Sequence, residues 1–171
     1  MDLANQLRDL LIKDVKLRFF EESFPRIRQC LALLTEEQIW QRPNMNSNSI
    51  GNLVLHLEGN VRQWLISGIG LVKDERLRDL EFTEKGPLQT KELLDKIDRL
   101  ERDALPVFDQ ITKGDLILDK TIQGFETNVL SILIHITEHL SYHTGQIAFY
   151  TKQLLDMDLK FYGDMDLNTL N

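Results

Sequence analysis

The sequence predicts an all-α protein built as a four-helix bundle, and three observations carry that expectation. Four long segments repeat apolar residues at intervals of three and four, the period of one buried face on a helix. Proline and glycine fall at stops, kinks and connections between those segments, with capping side chains near their starts. The chain has 171 residues and shows neither a repeat nor a low-complexity linker, so one domain spanning 1–171 is expected, with a substantial core.

The first segment runs from about Asp2 to Leu34 and repeats Leu3, Leu7, Leu10, Leu11, Val15, Phe19, Phe24, Ile27, Leu31 and Leu34. Pro25 removes a backbone donor and crowds the preceding turn, so a kink is expected there. Thr35 and Gln38 have the spacing of a capping box before Trp40 and the stop at Arg42-Pro43. Asn44 to Ser49 is rich in capping side chains, and from it a second helix runs to about Gly68, burying Ile50, Leu53, Val54, Leu57, Val61, Trp64 and Leu65. Lys73 to Lys85 reads as a long exposed connection able to frame a pocket. The third helix spans about Thr90 to Ile111 with a bend at Pro106, and Leu116 to Ile122 is short and partly extended before Gly124 breaks the chain. The fourth helix covers about Thr127 to Leu155, and the tail, Asp156 to Asn171, is expected to pack Leu159, Phe161 and Tyr162 back onto the helices. Four amphipathic helices of this length bury their stripes most simply against one another.

Composition narrows the partners. The formal net charge of −7 opposes a nucleic-acid or anionic-membrane surface, since phosphate would repel it. No apolar run of spanning length occurs, and Met1 to Asn5 lacks the basic and apolar blocks of a signal peptide, so a cytoplasmic protein is expected. The single cysteine, Cys30, shares a stripe with Ile27, Leu31 and Leu34 and reads as a core thiol rather than a nucleophile. Trp40, Trp64 and Phe82 have no evident core position for all three, which points to a homodimer through helical faces.

Chemistry concentrates in the histidines. Three of the four fall at spacings of four, as His135, His139 and His143, and residues four apart on a helix stand one turn apart on one face. Such a pair also occurs by chance on a solvated or core face, but His56, alone in the apolar second helix, offers a third imidazole from a neighbouring element. Three imidazoles without a thiolate leave one coordination position open, the arrangement of a reactive rather than a structural ion. His139, His143 and His56 are therefore the expected metal ligands, with zinc or nickel leading among ions that imidazole suits. His135 lies one turn from the pair and is expected beside the ligands or facing substrate. Asn52, Asn60 and Gln63 share the His56 stripe, with Gly59 leaving room, and Gln146 shares the stripe of His143; Asn60, Gln146 and His135 are the candidates for contacting substrate. Glu58 and Glu138 adjoin ligands in sequence but point about 100° away, and neither is assigned as a general base.

Asn48-Ser49-Ile50-Gly51-Asn52-Leu53-Val54-Leu55-His56-Leu57-Glu58-Gly59-Asn60, taken with Glu138-His139-Leu140-Ser141-Tyr142-His143-Thr144-Gly145-Gln146-Ile147, resembles the DinB-like superfamily, closest to a branch of unknown function. The likeness covers nearly the whole chain, including Arg78-Asp79-Leu80-Glu81-Phe82 and Phe161-Tyr162. It implies an up-down four-helix bundle with a metal site between helices two and four, held by His56, His139 and His143. It also implies a small-thiol-dependent S-transferase, with a low-molecular-weight thiol as partner and the metal holding it as thiolate. Two readings stand beside that one: a metal-dependent hydrolase, and a non-catalytic metal-binding or dimerisation protein. The enzyme readings require a pocket open to solvent at the three histidines, and the binding reading a closed site.

Overall fold

The computed structural model describes residues 2–86, 88–163 and 165–169. It is mostly helical. Helices α1 (Leu3–Lys16), α2 (Phe24–Leu33), α3 (Glu36–Trp40), α4 (Ile50–Val61), α5 (Arg78–Thr83), α6 (Thr90–Gln110) and α7 (Val129–Leu155) are joined late in the chain by a hairpin of β1 (Asp119–Ile122) and β2 (Phe125–Asn128). The hairpin departs from an all-α expectation, and its turn explains it. Ile122 pairs with Phe125, leaving Gln123 and Gly124 as a two-residue loop with φ of +52° and +80°, the positive values that match the twist of paired strands. The Gln123 side-chain oxygen accepts from Trp64 Nε1 at 3.2 Å, which ties the turn to that ring.

The kink expected at Pro25 takes the form of a π-helical stretch, Leu17–Ser23, immediately before it. The Phe24 N–H bonds Phe19 O, five residues back, so the extra residue in the turn absorbs the missing proline donor. A second π-helical stretch, Arg62–Ser67, extends α4, and α6 continues through Pro106. Capping follows the sequence: Thr35 and Gln38 form a capping box, Ser49 forms one with Asn52, and Asn128 accepts from Ser131 N at the start of α7.

α4 and α2 pack on α7, and α6 packs on α2 and on α4 with its extension. Phe19, Phe24 and Phe108 are fully buried, with the Phe19 ring edge-on to Phe24 at 5.8 Å and to Phe108 at 5.4 Å, so one aromatic knot ties the first helical segment to α6. Leu3, Leu7 and Leu10, expected inward, are exposed, whereas Ile12, Val15 and Phe19 are buried. At about 100° per residue the two sets lie on nearly opposite sides of the helix, and only the second faces a neighbour. The aromatics behind the dimer expectation are covered within the chain: Trp64 is buried, Trp40 Nε1 donates to Leu88 O at 2.9 Å, and Phe82 lies 4.8 Å from the His56 ring. Exposed aromatic surface comes instead from Phe125, Tyr142 and Phe149.

Cys30 is buried, and burial raises its thiol pKa against a hydrogen bond from Thr151. In the tail, Leu159 is buried, Phe161 packs against the core and Tyr162 is exposed; Leu170 and Asn171 lie outside the described residues. Among the described residues no helix is long and apolar enough to cross a membrane. Truncating Phe19 to alanine empties the centre of the aromatic knot, so Phe19→Ala is expected to lose about 3–5 kcal/mol of unfolding free energy in a urea titration.

Candidate metal centre

The facing surfaces of α4 and α7 bring His56, His139 and His143 together. One ring nitrogen from each lies within 4.8 Å of the others, and ring centroids are 4.9 Å apart for His56–His139, 5.0 Å for His56–His143 and 4.5 Å for His139–His143. An ion bonded to imidazole nitrogens at about 2.0–2.1 Å in tetrahedral geometry spaces them about 3.3–3.4 Å apart, a separation this cluster brackets. His56 Nε2 and His139 Nε2 stand 2.9 Å apart. Two lone pairs at that distance repel, so either a proton or a cation lies between them.

The second nitrogens decide which atoms face inward. His56 Nδ1 is 2.9 Å from Glu81 Oε2 and 3.2 Å from Arg76 Nη2. An ionised carboxylate only accepts and a guanidinium only donates, so the shorter contact assigns the proton: Nδ1–H donates to Glu81, and the Nε2 lone pair turns to the cluster. His143 Nδ1–H donates to Gln146 Oε1 at 2.7 Å, which likewise frees its Nε2. A carboxylate or amide behind a ligating imidazole is the usual device for fixing tautomer and ring orientation. The donor set therefore fits a divalent ion.

Glu81 and Arg76 were missed in the sequence because they lie in the charged stretch read as an exposed connection. Arg76 donates from Nε to Glu81 Oε1 at 2.6 Å and from Nη2 to Oε2 at 2.8 Å, and the two side chains are only 3% and 9% exposed. Arg76 Nη1 also donates to Gln63 Oε1 at 2.9 Å. The room for this pair is made by Gly59, where a Cβ would lie 2.1 Å from Glu81 Oε1. Gly59 thus opens space beside His56, as expected, and Glu81 fills it. Asn52, grouped with possible ligand contacts, serves the fold instead. Its Nδ2 donates to Glu81 O at 2.9 Å and to Glu84 O at 2.8 Å, which pins the ends of α5 to α4.

Of the remaining candidates, His135 stacks on Trp64 with centroids 4.3 Å apart and on His139 at 5.4 Å. Its Nε2 and the Oδ1 of Asn60, a residue only 4% exposed, are buried without a partner, so a second polar layer lies one turn from the histidine group. Glu138 is exposed and Glu58 accepts from Arg62 Nε at 2.5 Å; neither joins the group.

Electrostatics disfavour protonation of His139 and His143. Burial, reinforced by His143 and His56, pushes His139 down to about 3, and burial lowers His143 and His135 as well. For Glu81, burial pushes the carboxyl up, but hydrogen bonds from Arg76 and His56 outweigh it and hold the group below its ordinary value.

Residues 10–163 match the family described as protein of unknown function (DUF1572). The chain belongs to this family. A crystal structure of a DinB-like protein from Bacillus cereus ATCC 10987 is similar to this DUF1572 chain, with a TM-score of 0.64 over 81% of this chain and 89% of that one. At 18% sequence identity the likeness is one of fold. Family and fold together bear out the DinB-like resemblance read from the sequence. No curated protein matches the chain.

Two expectations follow from the geometry. Glu81→Gln leaves the Arg76 guanidinium buried and unbalanced, and is expected to lower unfolding free energy by about 3–5 kcal/mol in urea. The second concerns acid. A His139 held near pH 3 in the fold and near 6.5 when unfolded means that the unfolded chain binds more protons between those values. Stability is therefore complete above about pH 6.5 and falls as pH drops through the window. Measured on chelator-treated protein, His139→Ala should flatten that fall by about one proton between pH 6.5 and 4.5.

Proposed function

We propose that this DUF1572 protein is a divalent-metal-dependent enzyme, a small-thiol-dependent S-transferase on a DinB-like up-down four-helix bundle. His56, His139 and His143 are its ligands, between the second and fourth long helices, with zinc or nickel as the ion. The observation that carries the reading is the convergence of three imidazoles with no fourth His, Cys, Asp or Glu in the group among the described residues. Such an ion keeps a position for an exogenous ligand, and when bound it supplies its charge to stabilise a thiolate at neutral pH.

The residues around it have separable roles. Glu81 and Gln146 hold the tautomers of His56 and His143, so their Nε2 lone pairs stay directed at one point. Asn60 and His135 line the way to that point with polar atoms free to bond a substrate. The cavity at the histidines, about 310 Å³ and lined by His56, His139, Asn60 and His135, supports an enzyme over a closed binding site. Of the carboxylates near the cluster, Glu58 and Glu138 are directed elsewhere and Glu81 is engaged by Arg76 and His56, so the transferase reading is preferred to a hydrolase. A small thiol and a second copy of the chain are the proposed partners.

The test uses cobalt as a spectroscopic substitute. Wild-type protein loaded with Co(II) is expected to develop a thiolate-to-cobalt charge-transfer band when titrated with a low-molecular-weight thiol, and His139→Ala to lose metal affinity severely while retaining its helical circular dichroism, because apolar burial maintains the fold. Metal-dependent ester or amide hydrolysis with no band for any thiol would move the assignment to the hydrolase.

A further inference from the structure

The cavity beside the histidines has a charge character unlike the rest of the chain. The protein carries 27 acidic and 20 basic side chains, yet no aspartate or glutamate lines this space. Two guanidiniums do. Arg76 is consumed by its bidentate pair with Glu81. Arg78 is exposed and joins none of the ion pairs formed among the described residues. Its guanidinium instead rests over the Phe82 ring, 4.9 Å from the centroid, and that ring backs His56. That contact leaves the guanidinium N–H groups for a ligand, and arginine binds carboxylates through two parallel hydrogen bonds.

The same cavity also has an aromatic lining. Trp64 and Phe125 face the cavity with centroids 6.5 Å apart and planes inclined by 30°. The hydrogen bond from Trp64 Nε1 to Gln123 ties this wall to the hairpin turn. An apolar body can therefore lie against these rings while an anionic end meets the arginine, and a volume of about 310 Å³ lies at the small end of ligand pockets.

We propose that this cavity is a subsite for a small carboxylate-bearing ligand, its carboxylate on the Arg78 fork and its apolar body against Trp64 and Phe125. The proposal deepens the reading of the histidine centre and rests on it for one point, that the ligand's other end lies toward the ion. Charge selection itself depends on Arg78.

Isothermal titration of the purified protein with 3-phenylpropionate, 3-phenylpropanol and 3-phenylpropylamine separates charge from shape, since the three share one apolar body. The acid is expected to bind at least tenfold tighter than the alcohol, and the amine weakest. Arg78→Gln should bring acid and alcohol within twofold, Arg78→Lys should keep part of the preference, and Arg78→Glu should invert it toward the amine. Arg78 is exposed, so these variants should keep the wild-type circular dichroism. Equal binding of acid and alcohol, no binding of any of the three, or an acid preference unchanged in Arg78→Gln would each overturn the subsite. The same titrations on chelator-treated protein should preserve the dependence on Arg78. Because none of the three probes is a thiol, absence of the cobalt band would sink the transferase while leaving this result to stand or fall alone.

Discussion

The hydrogen bond from His56 Nδ1–H to Glu81 is the contact on which the rest of the site depends. Imidazoles turned toward one another at a helix interface must stay neutral and must be oriented, because each has a nitrogen on either side of the ring and only one can face the cluster. The Glu81 carboxylate settles the orientation of His56. A buried carboxylate is itself unstable unless paired, and Arg76 supplies the pairing with two N–H groups. Arg76 in turn is steadied by Gln63, whose Nε2 donates to Asp74 at 2.6 Å. The chain of partners ends at solvent.

That chain is anchored to the start of α4 by capping. Asn52 accepts from Ser49 Oγ at 2.8 Å and spends its amide on the carbonyls of Glu81 and Glu84. Arg42 Nη2 donates to Asn52 Oδ1 at 3.2 Å and to Phe82 O at 2.5 Å. One asparagine thus begins the helix that carries His56 and holds the short helix that carries Glu81, so the ligand and its carboxylate are set by one local structure. Gly59 completes it by leaving the space into which Glu81 reaches.

Much of this was legible in the sequence, and the exceptions have physical causes. Residues four apart on a helix share a face whatever surrounds them, so His139 and His143 could be paired from spacing, and an imidazole in the apolar run Ile50 to Ile69 marked His56 as the third. Capping boxes at Thr35 and Ser49 and the stripe of α4 are local and equally readable. Glu81 and Arg76 were not, since a charged stretch reads as solvated until something shows that its charges face each other; their buried pairing is a tertiary fact. The hairpin was half seen. Gly124 signals a turn, but the positive φ of Gln123 and its bond to Trp64, 59 residues away, leave no mark on the local sequence. The exposed stripe of Leu3, Leu7 and Leu10 merged with the buried one because both keep the helical period and only their angular offset separates them.

X-ray absorption at the zinc or nickel edge of the loaded protein counts the imidazoles on the ion. One ion per chain with three imidazole nitrogens at about 2.0–2.2 Å, falling to two in the His56→Ala variant, is expected of a centre held by His56, His139 and His143. A first shell of oxygens alone, or imidazole ligation unchanged after His56 is removed, would contradict it.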